Sequence, residues 1–262
     1  MTVPSTLSEP VAVYCASSMG RKDAYRLAAV SVGHALAEAN RPLVYGGGSK
    51  GIMGVVSGAA LEKGGKVTGV VPYPMLVAGG EQDKTSPSKI RLNEKGREKV
   101  SLMIFPPPPG VNCLIVDHDQ IETIIVDTMH ERKVEMARRS CAFIGLPGGF
   151  GTFEEIMEVT TWTQLGIHNK PVILLNVHSY WEPIRTMIQT AVDEGFVQPH
   201  NAALISFVNG PGPDASMEEH ENFDWGRAAI KVIENWKRDP GECPYDWTAS
   251  RSGGEMDELD AI

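Results

Sequence analysis

The sequence predicts a single α/β domain, a doubly wound, Rossmann-like parallel sheet flanked by helices. Short apolar runs of four or five residues alternate with longer stretches of helical periodicity along most of the chain. Strands separated in this way pair in parallel through right-handed crossovers. Three of the strand-like runs also end in turns of small residues, Ser17-Ser18, Gly46-Gly47-Gly48-Ser49 and Gly148-Gly149-Phe150-Gly151. In an open parallel sheet, ligands bind beyond the carboxyl ends of the strands.

Val11-Ala12-Val13-Tyr14 has the form of a short buried strand. The helix expected over 22–39 carries Tyr25, Ala28, Ala29, Val32 and Leu36 at helical spacing. Pro42-Leu43-Val44-Tyr45 is the second strand, followed by a helix over 51–63 and a strand from Val67 up to Pro72. Further on come a strand near 121–126, a helix over 129–139 and the apolar run Cys141-Ala142-Phe143-Ile144-Gly145. The glycine turn after it opens a helix reaching Leu165, with Phe153, Ile156, Met157 and Thr160 on one face. Pro171-Val172-Ile173-Leu174-Leu175 is the next strand, 181–194 a helix, Leu204-Ile205-Ser206-Phe207-Val208 the last strand and 225–236 the closing helix.

The domain therefore covers 11–237, after an N-terminal extension over 1–10. Between about 78 and 118 the alternation fails. That stretch holds charged segments and Pro106-Pro107-Pro108-Pro109-Gly110, which can be neither a central strand nor a helix. It reads as an insertion running over the surface, either a passive one or a lid or oligomer contact. From 238 to 262 the chain is acidic and rich in Gly, Ser and Pro, the composition of a disordered tail.

Composition excludes several functions. A net charge of −9 with no basic stripe argues against nucleic-acid binding. The four cysteines form no CxxC pair and the histidines are scattered singly, so neither a disulfide framework nor a metal site is expected. No apolar run is long enough to span a bilayer, and Met1 to Pro10 lacks the basic and apolar regions of a secretory signal. The expectation is a cytoplasmic protein with no membrane partner.

The glycine turn carries the chemistry. Three glycines within four residues allow a sharp turn and a close approach to a ligand, and the new helix N-terminus favours an anion such as a phosphate. Glu154 and Glu155 then stand in the first turn, which a loop that only grips phosphate would not favour. First-turn glutamates also complement a helix dipole, and Gly-Gly also serves plain turn geometry. The crevice formed with Ser17 and with Gly46, Gly47 and Gly48 favours the functional reading. Gly46-Gly47-Gly48 continues as Ser49-Lys50-Gly51 instead of completing GxGxxG, and no Walker A loop is present. Dinucleotide binding and ATP hydrolysis are disfavoured, while a mononucleotide stays open.

The second chemical segment is Met129-His130-Glu131-Arg132-Lys133. A solvated basic helix face is its plain reading. Yet it lies one helix upstream of the glycine turn, joined to it by a strand. That topology can bring Arg132 to the same crevice, where its planar fork suits a phosphate or carboxylate. Adjacent Arg132 and Lys133 point about 100° apart, so both rarely grip one small ligand.

Met129-His130-Glu131-Arg132-Lys133 together with Pro147-Gly148-Gly149-Phe150-Gly151-Thr152-Phe153-Glu154-Glu155 resembles the paired signature of the LOG (Lonely Guy) family. The likeness runs from about Val11 to Trp236, apart from the insertion. It implies a cytokinin riboside 5′-monophosphate phosphoribohydrolase, a group formerly mislabelled as lysine decarboxylases. Such enzymes cut the N-glycosidic bond of an N6-modified AMP, giving free base and ribose 5-phosphate, and are homodimers or larger assemblies. By this resemblance Arg132 and Glu155 are the catalytic pair. Lys133, Thr161 and the turn residues Gly148, Gly149, Phe150, Gly151, Thr152 and Glu154 contact the substrate. The chain departs from the family at two places. Its first loop reads Cys15-Ala16-Ser17-Ser18 where the family has Cys-Gly-Ser-Ser, and the region after Pro72, which supplies a further substrate-binding Glu, is rewritten. Glu81 is the candidate replacement there.

The implied chemistry agrees with the residues. Breaking a nucleoside C–N bond builds positive charge on the ribose, which a carboxylate such as Glu155 can stabilise, or it can activate the attacking water. No metal or redox cofactor is required, and no lysine is singled out for a pyridoxal-phosphate Schiff base. Two alternatives stay open at this point: a broader AMP nucleosidase, and a carrier of a nucleotide-like ligand. The helix over 153–165 also sets apolar Ile156, Met157, Val159 and Trp162 over more of its circumference than one stripe needs. Either a partner helix buries Trp162 or both faces are core.

Overall fold

The computed structural model describes residues 9–77, 90–92, 98–100, 121–212, 215–237, 245–248 and 259. In chain order the strands are β1 (Val11–Tyr14), β2 (Leu43–Tyr45), β3 (Val67–Pro72), β4 (Ile90–Leu92), β5 (Glu98–Val100), β6 (Ile121–Val126), β7 (Ala142–Gly145), β8 (Val172–Leu175) and β9 (Ile205–Val208). The helices are α1 (Asp23–Glu38), α2 (Gly51–Glu62), α3 (Tyr73–Val77), α4 (Met129–Arg139), α5 (Phe150–Leu165), α6 (Glu182–Asp193), α7 (Met217–Asn222) and α8 (Trp225–Asn235). Seven strands form one parallel sheet in the order β6-β3-β2-β1-β7-β8-β9, as a doubly wound fold requires.

The strands are short and apolar because helices cover both faces of the sheet. Val11, Val13, Leu43 and Tyr45 point to the layer of α1, α2 and α8, where they meet Val32, Leu36, Ile52, Val56 and Ile230. Ala12, Tyr14, Val44 and Phe143 point to the opposite layer and meet Met136, Ile156, Val159 and Trp162 from α4 and α5. Strand order reverses between β1 and β7, which pair with Val13 opposite Ile144. The crevice of a doubly wound sheet opens at such a switch point.

The structure adds elements that periodicity did not indicate. α3 is a single short turn sequence, Tyr73-Pro74-Met75-Leu76-Val77, with Pro74 in the first turn, where its missing N–H costs nothing. Two 3₁₀ segments, Val177–Ser179 and Pro199–Leu204, and the capped helix α7 were also not expected. The idea that a partner helix buries Trp162 is corrected. Trp162 is already buried within its own chain, edge-on to His168, because α5 sinks into the second core cluster.

β4 and β5 pair antiparallel, with Ile90 opposite Val100. The rest of the expected insertion, Glu81 included, lies outside the described residues. Within the stretch read as a tail, Trp247 donates from its indole to the Leu165 carbonyl at 2.9 Å, and Leu259 is buried on the second cluster. Among the described residues no helix is long and apolar enough to cross a membrane.

Candidate active site

Parallel βα units place every helix N-terminus at one edge of the sheet. There a cavity of about 330 Å³ opens, lined in part by the first turns of α2, α4 and α5. Ser17, Gly46, Gly47, Gly48, Arg132, Gly149, Phe150, Gly151, Thr152, Glu154 and Glu155 all line it. Its apolar wall, formed by Met53, Val71, Met75, Leu76 and Met129, was not foreseen.

The start of α4 is set by Thr128, whose hydroxyl accepts the Glu131 N–H at 3.0 Å, while the Glu131 carboxylate accepts the Asp127 N–H at 2.9 Å. This cap turns Met129 and Arg132 towards the cavity. A Cβ on Gly46 would stand 2.1 Å from Arg132 Nη2, so the second glycine turn makes room for the guanidinium. Arg132 Nε is buried and has no hydrogen-bond partner among the described residues, which leaves one donor unspent.

At α5 the cap residue Gly149 has no side chain to offer, and the first helical bond runs from Phe153 N–H to the Gly149 carbonyl at 3.0 Å. The N–H groups of Phe150, Gly151 and Thr152 therefore have no intrahelical acceptor. A Cβ on Gly149 or on Gly151 would meet nothing within 4 Å. The fold itself does not demand glycine at either position, and the open space beside both belongs to the cavity. Gly148 differs: a Cβ there would lie 2.1 Å from Thr152 Oγ1, and its carbonyl accepts the Tyr180 hydroxyl. Gly148 shapes the turn without lining the cavity.

Arg132 Nη2 and Glu155 Oε1 form an ion pair at 3.4 Å, with the two residues 8% and 7% exposed. Burial pushes the Glu155 carboxyl up to about 7; the Arg132 charge opposes this and the Glu154 charge adds to it. Beneath them, burial and then the Glu155 charge hold the fully buried Tyr14 phenol well above its ordinary value. The native protein thus binds the Glu155 proton more tightly than the unfolded chain does. Stability should fall as pH rises from the ordinary carboxylate range, about 4.3, to about 7. Glu155→Gln should be more stable than the parent above that window by roughly 3 kcal/mol and no different below it. Urea denaturation at pH 4 and pH 8 checks this, and equal differences at both values would contradict it.

The family model described as "Possible lysine decarboxylase" matches residues 53–213, which contain both signature segments. A cytokinin riboside 5′-monophosphate phosphoribohydrolase of Arabidopsis thaliana is 40% identical over 218 residues, covering 81% of this chain and 86% of its own. The chain belongs to the LOG family. A probable enzyme of the same description from Oryza sativa subsp. japonica is 37% identical over 241 residues, covering 92% of this chain and 84% of its own. A second from rice is 44% identical over 195 residues, covering 74% and 65%.

The LOG signature is not gathered whole into the cavity. Lys133 is turned away from it, with Nζ donating to Glu154 Oε1 at 2.5 Å and Glu158 Oε1 at 2.9 Å. Burial opposes its charge, but these bonds outweigh it and hold the ammonium above its ordinary pKa. Thr161 is exposed further along α5, its hydroxyl donating to the Met157 carbonyl at 2.8 Å, and it does not line the cavity. Sequence reasoning missed Tyr180, whose hydroxyl donates to the Gly148 carbonyl behind the cavity. It joins the β8 loop to the LOG glycine turn, and no motif marked it.

Proposed function

We propose that this LOG-family chain hydrolyses the N-glycosidic bond of a cytokinin riboside 5′-monophosphate, an N6-modified AMP, to free base and ribose 5-phosphate. The observation that carries the reading is the buried Arg132–Glu155 pair opening on the same cavity as the uncapped N-terminus of α5. The names of its relatives support the same substrate.

In this account the 5′-phosphate rests on the free N–H groups of Phe150, Gly151 and Thr152. The nucleoside base lies against Met53, Val71, Met75 and Leu76, which suit an apolar N6 substituent. As the C1′–N9 bond breaks, its electron pair leaves with N9 and positive charge develops on the ribose ring. The Glu155 carboxylate stabilises that charge and takes a proton from the water whose oxygen bonds to C1′. The departing base takes up a proton in turn, so that the two hydrogens of water end on the ribose hydroxyl and on the base. Arg132 orients the nucleotide and keeps Glu155 in place. Neither Lys133 nor Thr161 lines the cavity from which this chemistry is run.

Incubating the protein with AMP and with N6-isopentenyl-AMP in parallel tests the base assignment. We expect faster base release from the isopentenyl nucleotide; preference for AMP would favour a general nucleosidase. Gly46→Ala should displace the Arg132 guanidinium and lower kcat/KM by about 10²-fold. Steady-state kinetics beside circular dichroism would show whether a folded variant has lost that activity, and unchanged kinetics would detach Arg132 from the reaction.

The same reading makes the protein a cytoplasmic homodimer or larger assembly. Phe150, 91% exposed at the cavity mouth, supports a partner closing that side. Light scattering should give a mass at least twice the 28.4 kDa chain, and a fully active monomer would refute the assembly.

A further inference from the structure

We propose that Lys133 is a positioning residue that sets the protonation of Glu155: its ammonium binds the Glu154 and Glu158 carboxylates and neutralises charge that would otherwise keep Glu155 protonated. The consequence for turnover rests on the function proposed above, while the electrostatic device itself does not.

The geometry starts from helix spacing. Arg132 and Lys133 leave α4 about 100° apart, so one faces the cavity and the other the flank of α5. Glu154 and Glu158 lie four residues apart on that flank, neighbours whose like charges repel. Lys133 is buried between the two helices and bridges both carboxylates, at 2.5 and 2.9 Å. With both bonds made, the ammonium is committed to them and does not line the cavity.

The groups acting on Glu155 are Arg132 and Lys133 from α4 and Glu154 and Glu158 from α5, while the Tyr14 phenol faces it from β1. Tyr14 is held neutral by burial and contributes no charge. Two cations therefore stand against three carboxylates. Without Lys133, Arg132 alone would face all three, and Glu155, being the most buried, is the one that would keep its proton. A protonated Glu155 can neither stabilise a cationic ribose nor accept a proton from water. Lys133 thus acts on the reacting centre through the charges it cancels.

A salt bridge that merely fastened α4 to α5 would alter thermal stability but not the titration of Glu155. Carboxyl-13C NMR of glutamate-labelled protein without substrate, with Glu155 assigned by Glu155→Gln, separates the two roles. In Lys133→Met the Glu155 midpoint should rise by about one pH unit or more. In the double variant Glu154→Gln, Glu158→Gln the freed ammonium should move it below the wild-type value. The acidic limb of kcat/KM should follow both shifts.

An unmoved midpoint in folded Lys133→Met would overturn the proposal. If that variant does not fold, the double variant decides: a midpoint unchanged or raised overturns the proposal. Because the titration needs no nucleotide, a protein inert towards N6-isopentenyl-AMP that still showed both shifts would sink the proposed function and leave the role of Lys133 standing.

Discussion

Glu155→Gln is expected to lower kcat by about 10³-fold while the nucleotide still binds. The exchange keeps the volume of the side chain and removes both its negative charge and its capacity to accept a proton. Loss of fold would not explain the result, because the amide relieves the cost of a buried carboxylate and should stabilise the protein above pH 7. Glu154 is the natural rival, being adjacent in the same turn. Its side chain is 52% exposed and bound to Lys133, whereas Glu155 is enclosed beside Arg132. Single-turnover base release together with equilibrium dialysis of the nucleotide would check the expectation. Release at near wild-type rate would remove Glu155 from the mechanism.

Removing the phosphate from the substrate should matter as much. The riboside is expected to show a kcat/KM at least about 10³-fold below that of its 5′-monophosphate. The α5 N-terminus offers three N–H groups and the positive end of its dipole, none of which a nucleoside can use. Binding energy gained at this remote group holds the ribose against the Arg132–Glu155 pair, so its loss should appear in kcat as well as in KM. Comparable values for the two substrates would place the glycine turn outside the reaction.

Much of this site could be read from the chain because the decisive features are local. The start of the Met129–Arg139 helix is a local feature, set by Thr128 at the cap. The glycine turn between an apolar run and a helix likewise needs only neighbouring residues to be recognised. The central strands β1, β2, β7 and β8 were legible because burial on both faces leaves each an unbroken apolar run.

What escaped depends on tertiary contacts. α3 is too short to show a period, yet it supplies Met75 and Leu76 to the cavity wall. Tyr180 reaches Gly148 across 32 positions of sequence, and nothing near either residue announces the bond. Trp162 suggested a partner because its helix has apolar residues around much of its girth; burial in the second core cluster answers that pattern within one chain. For Lys133, helix geometry indicated that it would diverge from Arg132. Only the packing of α4 against α5 reveals that Glu154 and Glu158 receive it.

The most direct test of the whole account is the stoichiometry of products from N6-isopentenyl-AMP. Purified protein should release free base and ribose 5-phosphate in equal amounts, linearly with enzyme, with the activity absent from a parallel Glu155→Gln preparation. Base release without ribose 5-phosphate, or equal release by the Glu155→Gln protein, would contradict hydrolysis at this site.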